Sequence, residues 1–403
     1  MKEYLKLLKE ERNFRLLSII QLICYFGVWF SHTGIFTLLI KLDAPVWAIT
    51  LSAAMAFIPG VVIAPFSGIL VDKFSPKPML VIMMAVETIS VFMLLFIDSL
   101  DFLWLLLLII FVRNGTGGMY FQVEMSVLPK ILSKENLKLA NEIHSIIWAV
   151  SYTAGMGLAG VYIHFFGIKS AFLLDGILYI LSFGFLYFLN LQGLKPEFIE
   201  KPLKMLKNGL KYLKENRLIV HLIFLHAFVG ITAYDALIAL LADYKYANLL
   251  STSLIIGLLN TSRSISLMFA PAILSKFINK NTLIFVYIGQ GLGIIIWALS
   301  LWNFYLSLIG IIFAGFCTSS LWSYTYTMLQ QNCKKEFYGR VIAYNDMIFL
   351  GFSALISFII GLLYDIGLSV EMIASFMGSL FFVGAFYYHI VLKSYKIRWL
   401  ILN

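Results

Sequence analysis

Among the ionisable side chains inside long apolar runs of this sequence, four stand out for chemistry: Glu87, Arg113, Asp235 and Arg263. A charged group at the centre of a bilayer costs at least about 2.5–3.5 kcal/mol on insertion scales, so each should face water, a solute or an opposite charge. A carboxylate in such a place can take up and return a proton, and a guanidinium can tune it or hold an anionic solute. Asp235, next to Tyr234, is the best-placed proton-binding carboxylate; the alternative is an interfacial aspartate that stays ionised. Glu87 either turns toward a neighbouring helix or stands protonated against lipid. Arg113 suits coupling, an anionic solute group or a buried structural pair. Arg263 and Asp235 lie about one turn apart in depth (~5–8 Å at 1.5 Å per residue), within bridging reach as a structural or a coupling pair. His226 and His32 titrate near physiological pH, yet lone helical histidines also serve as hydrogen-bonded packing residues. Glu142 and Asp346 stand near helix starts, where negative groups are favoured. No His-x-x-His pair or carboxylate cluster suggests a metal, and no cofactor is expected. No Gly-Lys-Ser/Thr phosphate loop is present, which argues against ATP-driven transport by this chain.

The elements that must hold these residues follow from composition. Of 403 residues, 61% are hydrophobic and 13% charged, and mean hydropathy is +0.90. Soluble domains run about 45–50% apolar and about 25% charged. That excludes a soluble enzyme, a disordered chain and a disulfide scaffold, and the scattered Cys24, Cys317 and Cys333 suit neither a bridge framework nor zinc. A spanning helix needs about 20 mostly apolar residues. Twelve runs qualify: 14–40, 46–71, 78–98, 102–124, 142–165, 168–190, 218–242, 250–275, 281–300, 304–330, 341–363 and 367–391. They are continuous rather than alternating, so helices satisfy the backbone in lipid. The expectation is an all-α integral membrane protein of twelve transmembrane helices. No extramembrane stretch is long enough for soluble catalysis, so an enzyme is not expected.

The formal charge of +9 acquires a meaning from its placement. Of 30 Lys and Arg, Arg113 and Arg263 lie within runs and Lys41, Lys169 and Lys245 between them on one side. The other 25 fall in the N-terminus, the even-numbered loops and the C-terminus. Positive-inside bias then puts both termini in the cytoplasm of an inner-membrane protein, and nucleic acid is not needed to explain the charge. Met1–Arg15 reads as a short amphipathic helix leading into the first run rather than a cleaved signal.

A basic stretch divides the chain into 1–191, 192–217 and 218–403. It carries Lys195, Lys201, Lys204, Lys207, Lys211, Lys214 and Arg217, with Leu203, Leu206, Leu210 and Leu213 at helical spacing. It reads as a helix on anionic headgroups, or alternatively as a regulatory docking site. Lys73-Phe74-Ser75-Pro76-Lys77 and Lys276-Phe277-Ile278-Asn279-Lys280 echo each other as Lys-Phe-x-x-Lys at corresponding turns. Parallel six-helix repeats are a transporter design with the solute site between halves.

Gly68, Leu70, Asp72, Lys73 and Lys77 resemble the major facilitator superfamily signature Gly-x-Leu-x-Asp-(Arg/Lys)-x-Gly-(Arg/Lys)-(Arg/Lys); Ser75 and Pro76 depart from it. Leu128-Pro129 with Leu137-Lys138-Leu139-Ala140-Asn141, and Glu336-Phe337-Tyr338-Gly339-Arg340-Val341, resemble the branch containing macrolide-efflux and enterobactin-export permeases. Arg113 with Gly117 resembles an Arg-x-x-x-Gly motif tied to proton coupling, with Thr116 in place of its glutamine. Gly155-Met156-Gly157-Leu158-Ala159-Gly160 resembles the Gly-Pro-x-x-Gly-Gly antiporter motif, with Met156 and Ala159 as departures.

The resemblance implies two pseudo-symmetric six-helix bundles that rock about a central cavity lined by spans one, four, seven and ten. Cavity residues would then come from Tyr25, Trp29, His32, Asn114, Tyr120, His226, Tyr234, Asn260, Ser319, Trp322 and Tyr326. Gly68, Asp72, Lys73 and Lys77, with Gly339 and Arg340, would form the cytoplasmic gate, Asp72 latching on span eleven. The implied activity is proton-coupled export of an amphipathic drug- or siderophore-like molecule by a monomer in contact with membrane lipids. Asp235 or Glu87 would carry the proton and Arg113 tune it. A lipid flippase, or an importer of a small nutrient or metal complex, is the alternative on the same fold.

Overall fold

The computed structural model describes residues 2–191, 202–334 and 337–395. Among them twelve helices are long and apolar enough to cross a membrane, and there is no strand. The spans are Arg12–Lys41, Val46–Ala64, Pro76–Phe96, Leu100–Ile131, Glu135–Phe166, Ile168–Tyr187, Arg217–Lys245, Thr252–Leu274, Leu283–Ser300, Phe304–Asn332, Tyr338–Asp365 and Val370–Ser394, numbered one to twelve in that order. Polar side chains start several of them. Ser133 accepts from the Asn136 amide before span five, and Ser369 does so from Met372 before span twelve. A short helix, Lys2–Glu10, precedes span one; its Leu7 is buried and its Tyr4 hydroxyl donates to Glu142 at 2.7 Å.

Three predicted spans are interrupted, span ten only at Cys317 between Phe304–Phe316 and Thr318–Asn332. Span two breaks between Val46–Ala54 and Ile58–Lys73, where Ala56 and Phe57 make tighter bonds back to Ala53 and Ala54. Pro59 lies just beyond and disfavours helical geometry in the residue before it. Span seven is helical over Arg217–Ala227, tightens to a 3₁₀ segment over Phe228–Thr232, and resumes at Asp235–Leu240. A 3₁₀ turn advances 120° per residue rather than 100°, and Ala233 after it is non-helical (φ −74°, ψ 77°), so the helical face before the break is not continued beyond it.

The chain forms two compact units. The first comprises Met1–Ala44, Phe66–Ile199 and Asn248–Thr261; the second Pro45–Pro65, Glu200–Ala247 and Ser262–Asn403. The first therefore includes the start of span eight, and the second all of span two as bounded above. In each unit that added segment is held by a small-residue crossing. A Cβ at Gly160 of span five would lie 2.5 Å from the Ser253 carbonyl oxygen and 3.1 Å from the Gly257 Cα. In the second unit a Cβ at Gly361 of span eleven would meet the Thr50 hydroxyl at 2.5 Å. Such approach is what small residues permit between helices in lipid.

The described part of the basic stretch is a helix, Pro202–Glu215, in the second unit. Tyr212 stacks on Phe337 with ring centroids 4.3 Å apart, its hydroxyl accepts from the Lys334 amide at 3.1 Å, and Gly209 passes the Tyr344 ring. Lys207, Leu210, Lys211 and Lys214 remain exposed. One face is thus docked on the start of span eleven, while the basic face is free. Lys195 and Lys201 lie outside the described residues.

Candidate functional site

The first unit buries a charged cluster drawn from four spans. Arg113 of span four is 7% exposed, Glu87 of span three 4%, and Asp175 of span six 0%. Arg113 Nη2 donates to Asp175 Oδ2 at 2.9 Å, and its Nε lies 3.4 Å from Glu87 Oε2. The Ser31 hydroxyl of span one also donates to Asp175 Oδ2. Thr116 and Tyr179 donate to Glu87 at 2.9 and 3.3 Å. Glu87 has thus turned inward, the first of its two sequence readings. Glycines clear the space: a Cβ at Gly27 would fall 2.4 Å from Asp175 Oδ1, and one at Gly117 3.2 Å from Glu87 Oε1. The Arg113…Gly117 pair therefore has a local physical sense. The arginine pairs with Glu87, the glycine gives it room, and Thr116 supplies a hydroxyl donor. One guanidinium serves two carboxylates here, so full ionisation would leave a net negative charge in a low-dielectric interior.

Asp175 is not among the residues singled out above from the sequence. The criterion that selects Glu87, an ionisable residue within an apolar run, applies to it equally and is the signal that could have found it.

The second unit holds the span-seven candidates. The interruption frees the Thr232 carbonyl from helical bonding, and Arg263 Nη2 donates to it at 2.9 Å. The guanidinium also sits 4.6 Å above the Tyr234 ring, a cation–π arrangement. Arg263 thus reaches the backbone and ring just before Asp235. Asp235 is half-buried and opens the resumed helix. Tyr234, expected to line a cavity, is 0% exposed. Its ring packs on Trp297 at 5.2 Å and its hydroxyl reaches the Ala314 carbonyl, because the helical face that holds His226 is not continued beyond the 3₁₀ segment.

His226, Trp322 and Tyr326 do come together. The His226 ring lies 4.8 Å from Trp322 and 5.6 Å from both Tyr326 and Phe349, and its Nδ1 pairs with the Thr325 hydroxyl at 2.8 Å. Ser319 ties span ten to span eight by donating to the Leu267 carbonyl. In the first unit Trp29 packs on Tyr152 and His32 at 4.6 and 5.8 Å, and Tyr25 lies edge-on to His144. Tyr120 is half-buried on span four. Asn260 is 1% exposed, bonds the Ile256 carbonyl and accepts from Tyr152, so it joins spans five and eight instead of presenting its amide to a solute. Asn114 is exposed and donates to Ile110 on its own helix.

Of the gate residues, Lys77 donates to the carbonyls of Tyr187 and Leu189 and pins the end of span six. Lys73 is exposed over Phe74, Arg340 stacks over Phe337 at 5.3 Å, and Gly339 is open to its surroundings. Gly68 and Asp72 lie on the second helical segment of span two, their surroundings outside the described residues, as is Glu336.

Comparison with known proteins places this architecture. Residues 17–356 match the sequence profile of the Major Facilitator Superfamily. The chain belongs to the major facilitator superfamily. Two Bacillus subtilis (strain 168) proteins are similar to parts of it. The MFS-type transporter YfiS is 24% identical over 220 residues, 53% of this chain and 52% of YfiS. A candidate bacilysin exporter, BacE, is 22% identical over 165 residues, 40% of this chain and 41% of BacE. The chain matches about half the length of these curated relatives. Among solved structures, the nucleoside transporter NupG superposes with a TM-score of 0.71 at 16% identity, covering 96% of this chain and 99% of NupG. An auto-inhibited POT family peptide transporter superposes with a TM-score of 0.75 at 10% identity, covering 97% and 99%. At these identities the likeness is one of fold. With twelve helices long and apolar enough to cross a membrane among its described residues, this major facilitator chain is a multi-pass membrane protein.

Proposed function

We propose that this transporter exports an amphipathic small molecule against proton influx by alternating access. The observation that carries the reading is the Glu87–Arg113–Asp175 cluster, in which one guanidinium is shared by two buried carboxylates. An uncompensated buried carboxylate is costly, and a proton is the least expensive way to neutralise it. Glu87 and Asp175 then carry the proton, with Arg113 setting how tightly it is held. Asp235 is the corresponding carboxylate of the second unit, and Arg263 steadies the interrupted span beside it. The aromatic groups around His226 and Trp322, and around Trp29 and Tyr152, suit a bulky apolar solute with few polar anchors. Similarity to a candidate exporter supports the outward direction. Gly68, Asp72, Lys73, Lys77, Gly339 and Arg340 form the cytoplasmic gate in this reading. The chain works as a monomer in the inner membrane, with both termini in the cytoplasm, as the 25 basic residues of the even loops and termini suggest.

The test is flux in proteoliposomes. A panel of amphipathic drugs is offered with and without an imposed pH gradient. Gradient-driven accumulation of at least one, abolished by Asp175→Asn, is expected. Flux that ignores the gradient refutes proton coupling.

A further inference from the structure

The first unit buries one carboxylate more than its charged cluster uses. Glu124, on span four, is 3% exposed, and no Lys, Arg or His forms an ion pair with it among the described residues. Arg113, Gly117, Tyr120 and Glu124 are spaced i, i+4, i+7, i+11. That spacing puts them in one stripe down a single helix face, about 16 Å long at 1.5 Å per residue. Tyr120 lies one turn before Glu124 on the same helix, and Phe121 beside it packs on the His144 ring at 5.2 Å, which also meets Tyr25 of span one at 6.3 Å. Cys24 and Ser31 lie two turns apart on one face of span one, and Ser31 donates to Asp175. The Tyr120 hydroxyl is buried with no hydrogen-bond partner among the described residues. The polar line continues with Gln21, one turn before Tyr25 on span one, which meets the half-buried His144 of span five at 2.8 Å.

Charge balance decides what such a residue can hold. Three carboxylates, Glu87, Asp175 and Glu124, share the interior of this unit with one guanidinium, Arg113. Fully ionised, they would leave two uncompensated negative charges, each costing several kcal/mol to keep out of water. Burial this deep leaves little access for an organic cation, whereas a proton needs only an oxygen lone pair. We propose that Glu124 is a second proton-holding site, which exchanges its proton with the Arg113 cluster on one side and with the Gln21–His144 end on the other. The carboxyl accepts a proton on one oxygen and returns it from the carboxyl O–H, with no redox change. This deepens the proton-coupled reading of the Arg113 cluster and rests on it for its role in transport, but not for the protonation itself.

Two measurements on the full chain in phosphatidylcholine–phosphatidylglycerol vesicles separate these. Infrared difference spectra between mildly acidic and mildly basic buffer should show a protonated-carboxyl band. One component of it should be lost in Glu124→Gln and restored, at a shifted frequency, in Glu124→Asp. A band that Glu124→Gln leaves unchanged, in protein with wild-type helix content, overturns the proposal. Should Glu124→Gln fail to fold, Glu124→Asp decides alone, since an unshifted band overturns the proposal equally. In flux assays with the amphipathic drug that the wild type transports best, Glu124→Gln should lose gradient-driven accumulation and keep drug–drug exchange without a gradient. Loss of both with the band component gone assigns Glu124 to drug binding and overturns the relay. A wild type whose flux ignores the gradient removes proton-coupled transport, while the infrared result still decides where the proton sits.

Discussion

The crossing of spans five and eight offers the cleanest quantitative test of the packing. A methyl group added at Gly160 would sit 2.5 Å from a backbone oxygen, where no side chain can yield, and 3.1 Å from the Gly257 Cα. A methyl added at Gly118 of span four meets nothing within 4 Å. Both substitutions to alanine gain the same helix preference, about 1 kcal/mol. That gain cancels in the comparison, and the difference between the two variants isolates overpacking, about 1–3 kcal/mol. Gly160→Ala should therefore unfold at lower temperature than Gly118→Ala, and Gly118→Ala no lower than wild type. Gly257→Ala strains the same crossing from the other side, with its methyl 2.9 Å from the Met156 carbonyl oxygen. The Gly160→Ala/Gly257→Ala double variant should cost less than the sum, because helices already pushed apart have room for the second methyl. Tryptophan-monitored thermal unfolding in one detergent measures all four. Gly160→Ala as stable as Gly118→Ala would refute the close approach.

Three further outcomes rest on described contacts. Arg113→Leu leaves two buried carboxylates facing each other and should destabilise by about 3–5 kcal/mol at neutral pH, with the loss shrinking in acid as added protons neutralise both; a pH-independent Tm deficit would contradict this. Thr116→Val removes a 2.9 Å donor from Glu87 and should cost about 1–3 kcal/mol in thermal unfolding, whereas Thr116→Ser should cost little. Tyr212→Ala removes the stack on Phe337, worth about 0.5–1.5 kcal/mol beyond its burial. Limited proteolysis should then cut near Lys211 and Lys214 faster than in wild type, and unchanged cleavage would mean that other contacts hold the helix.

Much of the architecture is legible in the residue types. Twelve apolar runs separated by charges leave helices as the economical solution in lipid, and twelve spanning helices are observed. Charge in an apolar run marks Glu87 and Arg113, because burial of charge is expensive wherever the chain puts it. Their pairing is not legible, since it depends on which faces of spans three, four and six meet. A charged residue usually signals water, so the fourth apolar run ends at Glu124; the helix instead continues to Ile131 with Glu124 inside. An unbroken helical wheel puts Tyr234 on a cavity face. No proline marks the 3₁₀ segment before it, only Gly230 packed 2.9 Å (as a Cβ position) from the Phe349 carbonyl oxygen, and that contact is tertiary.

The placement of the indole rings gives this protein built-in optical labels. Trp322 lies beside His226 and Phe349 in one unit, Trp29 against Tyr152 in the other, while Trp297 is sealed from all contact with solvent behind Tyr234. A solute lodging against His226 would change the emission of Trp322 and leave Trp297 silent. A set of single-tryptophan variants could therefore report which unit a solute touches first, before its chemical identity is known.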